Sequence, residues 1–174
     1  MEHRYGAVMS ASQSSPAVRV ERYDSRWKPD FARLNVEWLE RWFSVEPVDR
    51  ELLGDPERHI LRDGGCVLFA VDEADRALGT VALKHEGDGV YELTKMAVDP
   101  SVRGGGIGRL LVRAALEEFR AASGRELYLE SSTKLGPALR LYESVGFVHQ
   151  PHPREGSPYS RADVHMIWNP TAPS

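Results

Sequence analysis

One segment constrains this chain more than any other: Asp99-Pro100-Ser101-Val102-Arg103-Gly104-Gly105-Gly106-Ile107-Gly108-Arg109. Asp99-Pro100 stops whatever strand precedes it, and the glycines allow backbone angles that other residues avoid. Beyond them Ile107, Leu110, Leu111, Ala114, Ala115 and Phe119 form one helical stripe, which predicts a helix from Ile107 to about Ala122, ended by Gly124. A glycine turn feeding a helix leaves the first amides free at the positive end of the helix dipole, a setting suited to a phosphate or pyrophosphate. Arg103, Arg109, Arg113, Arg120 and Arg125 outnumber Asp99, Glu117 and Glu118 over the same stretch. A plain tight turn beside solvated arginines would leave the same trace, so the turn alone does not decide.

The segment before the turn carries a second irregularity. Tyr91 and Leu93 share a face, but the next large apolar residues, Met96 and Val98, follow after a step of three. One extra residue near Thr94-Lys95 restores the phase, as a β-bulge does. A strand buried on both faces also breaks alternation, and periodicity does not separate the two readings.

The remaining elements set the fold class. Val18–Arg22 alternates as a first strand, and Phe31, Leu34, Trp38, Leu39 and Trp42 predict a helix from about Pro29 to Phe43, with Trp38, Trp42 and Phe43 expected in the core or one of them in the wall of a ligand pocket. Val48–Arg62 reads as a broken helix or loop that restarts at Asp55-Pro56. Strands are expected at Cys66–Asp72, Ala77–His85, Val90–Val98, Glu126–Glu130 and Val164–Trp168, with a second amphipathic helix over Pro137–Val145. Meandering strands followed by strand–helix–strand units indicate a mixed α/β or α+β sheet with helices on its faces. Met1–Ala17 reads as a flexible tail without a secretory h-region, and residues 18–170 as one domain.

Composition removes several functions. The chain of 174 residues holds 22 Lys and Arg against 26 Asp and Glu, a net charge of −4 that argues against a nucleic-acid binder. Its longest apolar run, Cys66–Val71, is far too short to cross a membrane, so no membrane partner and a cytoplasmic location are expected. The single cysteine, Cys66, reads as a packed thiol and allows neither an internal disulfide nor a Cys-rich metal site. His149 and His152, flanked by Pro151 and Pro153, read as a surface loop, and no metal is expected. No Lys-Ser or Lys-Thr follows the glycines, which excludes a P-loop, and Leu111 stands where a dinucleotide fingerprint needs a small residue.

These residues resemble the GNAT (GCN5-related) N-acetyltransferases. The family's Arg/Gln-x-x-Gly-x-Gly/Ala signature is matched by Arg103-Gly104-Gly105-Gly106-Ile107-Gly108, and its Ala-x-x-Leu-Tyr-x-x-x-Gly-Phe block by Ala138 through Phe147. Glu92 to Pro100 is similar to the family's bulged central strand. The likeness is specific over Val90–Val148. It implies the acyl-CoA N-acyltransferase fold: a mostly antiparallel central sheet, helices on both faces, and a bulged strand splayed from its neighbour at the acetyl-CoA slot.

The resemblance implies acetyl-CoA as co-substrate and an amine as acceptor. Amides from Val102 to Arg109, including those of Arg103, Gly104, Gly105, Gly106, Ile107, Gly108 and Arg109, are expected to hold the pyrophosphate. Backbone groups of Met96, Ala97 and Val98 are expected to bond pantetheine. Where the family often has Asn, this chain has Leu135, so that contact is expected to be absent or replaced by Ser132 or Thr133; capping of the following helix is the other reading of Ser131-Ser132-Thr133. An amine must lose a proton before it attacks, and Glu92 stands where the family places a general base. The competing reading of Glu92 is a solvated glutamate or a partner of Lys95. Tyr142 stands at the family's acid position, and its alternative is a core aromatic. Tyr159 and Arg161 read either as contacts for an acidic acceptor or, for Arg161, as plain surface. The functional expectation is direct acetyl transfer to a primary amine, with a non-catalytic acyl-CoA sensor as the alternative. Whether the chain acts alone or as a homodimer stays open.

Overall fold

The strand before the glycine turn lies near the middle of one seven-stranded sheet ordered β1-β2-β3-β4-β5-β7-β6. In the computed structural model, which describes residues 17–172, the elements follow as β1 (Arg19–Arg22), α1 (Lys28–Trp42), α2 (Pro47–Gly54), β2 (Cys66–Val71), β3 (Ala77–Gly87), β4 (Val90–Val98), α3 (Ile107–Ala121), β5 (Glu126–Ser131), α4 (Gly136–Ser144), β6 (Phe147–His149) and β7 (Val164–Trp168). Among the described residues only the β4–β5 pair is parallel. Apart from Ala17, the tail expected at Met1–Ala17 lies outside the described residues.

Alternation along the strands builds two cores. On one face Leu83, Leu93, Leu127, Leu129 and Met166 pack with Leu111, Val112, Ala115 and Leu116 of α3. On the other, Phe69, Ala82 and Ala97 meet Phe31, Leu34 and Leu39 of α1 and Leu52 and Leu53 of α2. The sheet is therefore covered on both sides, as expected from strands with few polar positions.

Several details differ from the sequence expectations. Leu110 is 38% exposed, because the buried stripe of α3 centres on Leu111, Ala115 and Phe119 and leaves Leu110 off its axis. Trp42, the last residue of α1, is 43% exposed where the stripe runs out. Val48–Arg62 resolves into α2 and a π-helical turn at Glu57–Leu61, with the Asp55 side chain accepting from the Arg58 amide at the restart. The three-residue β6 was not anticipated; it exists through its pairing with β7. Ser131-Ser132-Thr133 does not cap α4, whose cap residue is Leu135 with no side-chain acceptor.

The phase slip in β4 is a bulge. Thr80 pairs with Ala97 and Ala82 with Thr94, so Lys95 and Met96 together face Val81. Lys95 takes the left-handed region at φ +53°, which a side chain with a Cβ rarely adopts. Met96 and Val98 thereby rejoin the core face of Tyr91 and Leu93.

Candidate functional site

β4 and β5 pair only as far as Val90–Glu126, Tyr91–Leu127 and Glu92–Tyr128. Beyond Glu92, where the bulge turns β4, the strands part. A cavity of about 350 Å³ occupies the gap, lined on one bank by Glu92 through Val98 and on the other by Glu130, Ser131 and Ser132. Leu135, Ala138, Leu141 and Tyr142 also line it, as do Trp38, Phe43, Tyr159 and Arg161.

The glycine turn opens onto this cavity. Asp99 accepts bonds from the Ser101 amide and hydroxyl, folding Pro100–Val102 into one 3₁₀ turn ahead of the glycines. Gly104 and Gly106 sit at φ +83° and +81°, and an added Cβ on either would meet nothing within 4 Å. Their glycine identity answers to backbone angle, not to crowding by the protein. Gly106 caps α3 without any side-chain acceptor, so the leading amides stay open toward an outside anion. Arg103, Gly104 and Gly108 reach the cavity lining; Gly105, Gly106, Ile107 and Arg109 do not, and the Ile107 side chain is buried in the core.

Glu92 is 6% exposed in the slot, and its carboxylate has no hydrogen-bond partner among the described residues. Burial raises its pKa to about 7; Glu130 and Glu86 push the same way, and Lys95 and Lys84 oppose them. Lys95 does not pair with it: the ammonium bonds Asp49 at 2.7 Å and the Tyr159 hydroxyl at 3.1 Å. Tyr142 lines the slot with its ring edge-on to Phe147 at 5.9 Å, and burial holds its phenol above the ordinary range, so it keeps its proton.

Thr133 faces away. Its amide and hydroxyl both donate to Asp163, at 2.8 and 2.9 Å, whereas buried Ser132 lies on the cavity wall. Arg161 is not surface either: its guanidinium bonds both carboxylate oxygens of Asp49 and one of Glu46, each at 2.8 Å. Asp49 is fully buried; burial alone would raise its pKa, but Arg161 and Lys95 outweigh that and hold it at about 2. This network was missed from sequence, although Pro47 at a helix start with Asp49 bonding back to the Glu46 amide at 2.9 Å is a readable N-terminal pattern. Cys66 is inert by the same physics, its thiol pushed up to about 11 mainly by burial. Among the described residues no group of three or more His, Cys, Asp or Glu side chains is arranged to hold a metal.

Comparison with known proteins adds the context. Residues 29–147 match the profile of the acetyltransferase (GNAT) family. An uncharacterized N-acetyltransferase of Schizosaccharomyces pombe is 34% identical over 122 residues, covering 68% of this chain and 74% of that protein. Mycothiol acetyltransferase of Actinosynnema mirum is 35% identical over 85 residues, covering 49% of this chain but only 29% of that protein. A Salmonella typhimurium structure described as an acetyltransferase with its cofactor acetyl-CoA superimposes with a TM-score of 0.70 at 20% identity, covering 91% of this chain and 96% of that one, a likeness of fold.

Proposed function

Since the chain belongs to the GNAT acetyltransferase family, we propose that it transfers the acetyl group of acetyl-CoA to a primary amine of a small molecule, directly and with both substrates bound together. The observation that carries this reading is the parting of β4 from β5 at Glu92, which opens a cavity that Arg103, Gly104 and Gly108 of the glycine turn also line.

The residues present fit acetyl-CoA. Two left-handed glycines with open space above them let a pyrophosphate approach the main chain, and Arg103 adds a cation at the same mouth. In this reading the amides from Val102 to Arg109 hold the pyrophosphate. Met96, Ala97 and Val98 offer backbone groups freed by the bulge to the pantetheine arm, and Ser132 takes the part expected of Thr133. Bound acetyl-CoA supplies a thioester-activated acyl group.

The chain's own residues then manage protons. Glu92, with a pKa of about 7, is half ionised near neutrality and accepts the acceptor's proton directly or through water. Tyr142 keeps its phenolic proton through neutral pH and donates it toward the departing sulfur. In this reading Trp38, Phe43, Tyr159 and Arg161, which line the cavity, border the acceptor. No helix among the described residues is long and apolar enough to cross a membrane, and the net charge of −4 disfavours a nucleic-acid partner. In this reading the protein works in the cytoplasm on diffusible substrates.

Calorimetry with CoA and thiol release from acetyl-CoA over a panel of amines test the proposal. Micromolar CoA binding with amine-dependent thiol release supports it. CoA binding without release on any amine would favour the sensor, and no binding at millimolar CoA would remove both.

A further inference from the structure

Glu130 has no part in the chemistry above, yet it is the most unusual side chain of the slot. Its Oε2 is buried and without a hydrogen-bond partner. Paired residues of neighbouring strands point to the same face, so Glu92 and Tyr128 share one side, and Glu130, two residues on, shares it too. The position therefore places Glu130 on the far bank of the opened slot from Glu92, and both line the cavity. A carboxylate oxygen left unpaired in a buried position is costly, which is the expected state of a group whose partner arrives with a ligand.

The cations of the acceptor wall are already committed. Arg161 spends three bonds on Asp49 and Glu46, and Lys95 bonds Asp49 and Tyr159. Neither Asp49 nor Glu46 lines the cavity, so their charges face the two cations from behind. Two of the aromatic rings are engaged as well, Tyr159 by Lys95 and Arg161 at 4.6 and 4.7 Å and Phe43 by Lys134 at 5.3 Å. The charge left unbalanced toward the acceptor belongs to Glu92 and Glu130.

From this arrangement we infer that Glu92 and Glu130 form a two-carboxylate seat for a cationic acceptor, and that the preferred substrate is an amine bearing a second positive charge and no carboxylate. This rests on the acetyltransferase reading. While Glu92 takes the proton of the reacting nitrogen, Glu130 pairs with the second ammonium. The other charged or titratable groups near Glu92 are Lys84 and Glu86, bonded to each other at 2.8 Å on β3, and the phenols of Tyr128 and Tyr159. His165, opposite Glu130 on β7, and Arg154, 4.2 Å above the Tyr128 ring, lie outside the cavity lining.

Three acceptors of similar length separate the charges: 1,4-diaminobutane, butylamine and 4-aminobutanoate. The expected order of kcat/KM is diamine first, by about tenfold over butylamine, and 4-aminobutanoate last, as one charge-assisted bond gained or refused requires. Glu130→Gln should abolish the diamine's advantage through KM while the KM for acetyl-CoA stays put. It should also move the acid limb of the rate profile below pH 7, since a like charge near Glu92 is gone. A preference for 4-aminobutanoate, or a diamine advantage that survives Glu130→Gln, would overturn the inference. Diamine binding to the CoA-loaded protein, measured by calorimetry in both forms, decides the matter even without turnover: tighter binding to the wild type supports the seat and equal binding refutes it. Absence of turnover alone would count against the proposed catalysis, not against the seat.

Discussion

Lys95 and Asp49 meet at 2.7 Å with side chains 4% and 0% exposed, so the one left-handed residue of β4 is tied by charge to α2. Arg161 joins the same carboxylate from the loop before β7. The bulge that opens the slot and Arg161 of the cavity lining thus share one buried anion.

Asp49→Asn should destabilise the protein by about 3–5 kcal/mol, because it leaves two buried cations without their counter-charge. Urea denaturation checks this. Glu86→Gln, which breaks the more exposed Lys84–Glu86 pair, should cost less than about 1 kcal/mol. The pH dependence has a definite sign. Asp49 is held at about 2, below its ordinary value, so its contribution is full above about pH 4 and fades as pH falls toward 2. The gap between wild type and Asp49→Asn should therefore narrow in acid.

Gly106→Ala should cost about 1 kcal/mol from its φ of +81° alone, since the new methyl meets no atom within 4 Å. CoA affinity should fall by about tenfold in calorimetry, more than that stability loss explains, because in the proposed reading the methyl stands where the pyrophosphate approaches.

Tyr142→Phe keeps the edge-on contact with Phe147 and removes only the phenolic proton. Steady-state kinetics should give a kcat lower by about 10²-fold with KM values little changed, and a melting temperature close to that of the wild type.

Glu92→Gln should separate activity from stability. The wild-type carboxyl titrates at about 7 in the folded chain against 4.5 ordinarily, so its favourable contribution is full below about pH 4.5 and is lost as pH rises through 7. Denaturation curves should coincide for the two forms near pH 4 and show the variant to be the more stable at pH 8.

What sequence made legible was local. The slip between Leu93 and Met96 and the glycines after Arg103 stand in one short stretch; alternation leaves a bulge and a doubly buried strand both open, and the resemblance carried by these residues implies the bulge. Their consequences for distant residues were not legible. Asp49 lies 46 residues before Lys95 and 112 before Arg161, and nothing near Arg161 announces a buried partner. Glu130 read as the end of an ordinary strand; its isolation follows from where β4 and β5 part, a property of their pairing. β6, with three residues, is too short for any periodicity to reveal.

The pH dependence of kcat/KM for amine-dependent thiol release from acetyl-CoA, measured on wild type and Glu92→Gln, tests the central claim most directly. The account predicts a wild-type rate that rises with pH through an apparent pKa near 7, as a base must lose its proton to act, and a variant slower by at least about 10²-fold with that limb gone. No thiol release with any amine, or a variant that retains the wild-type rate and profile, would contradict it.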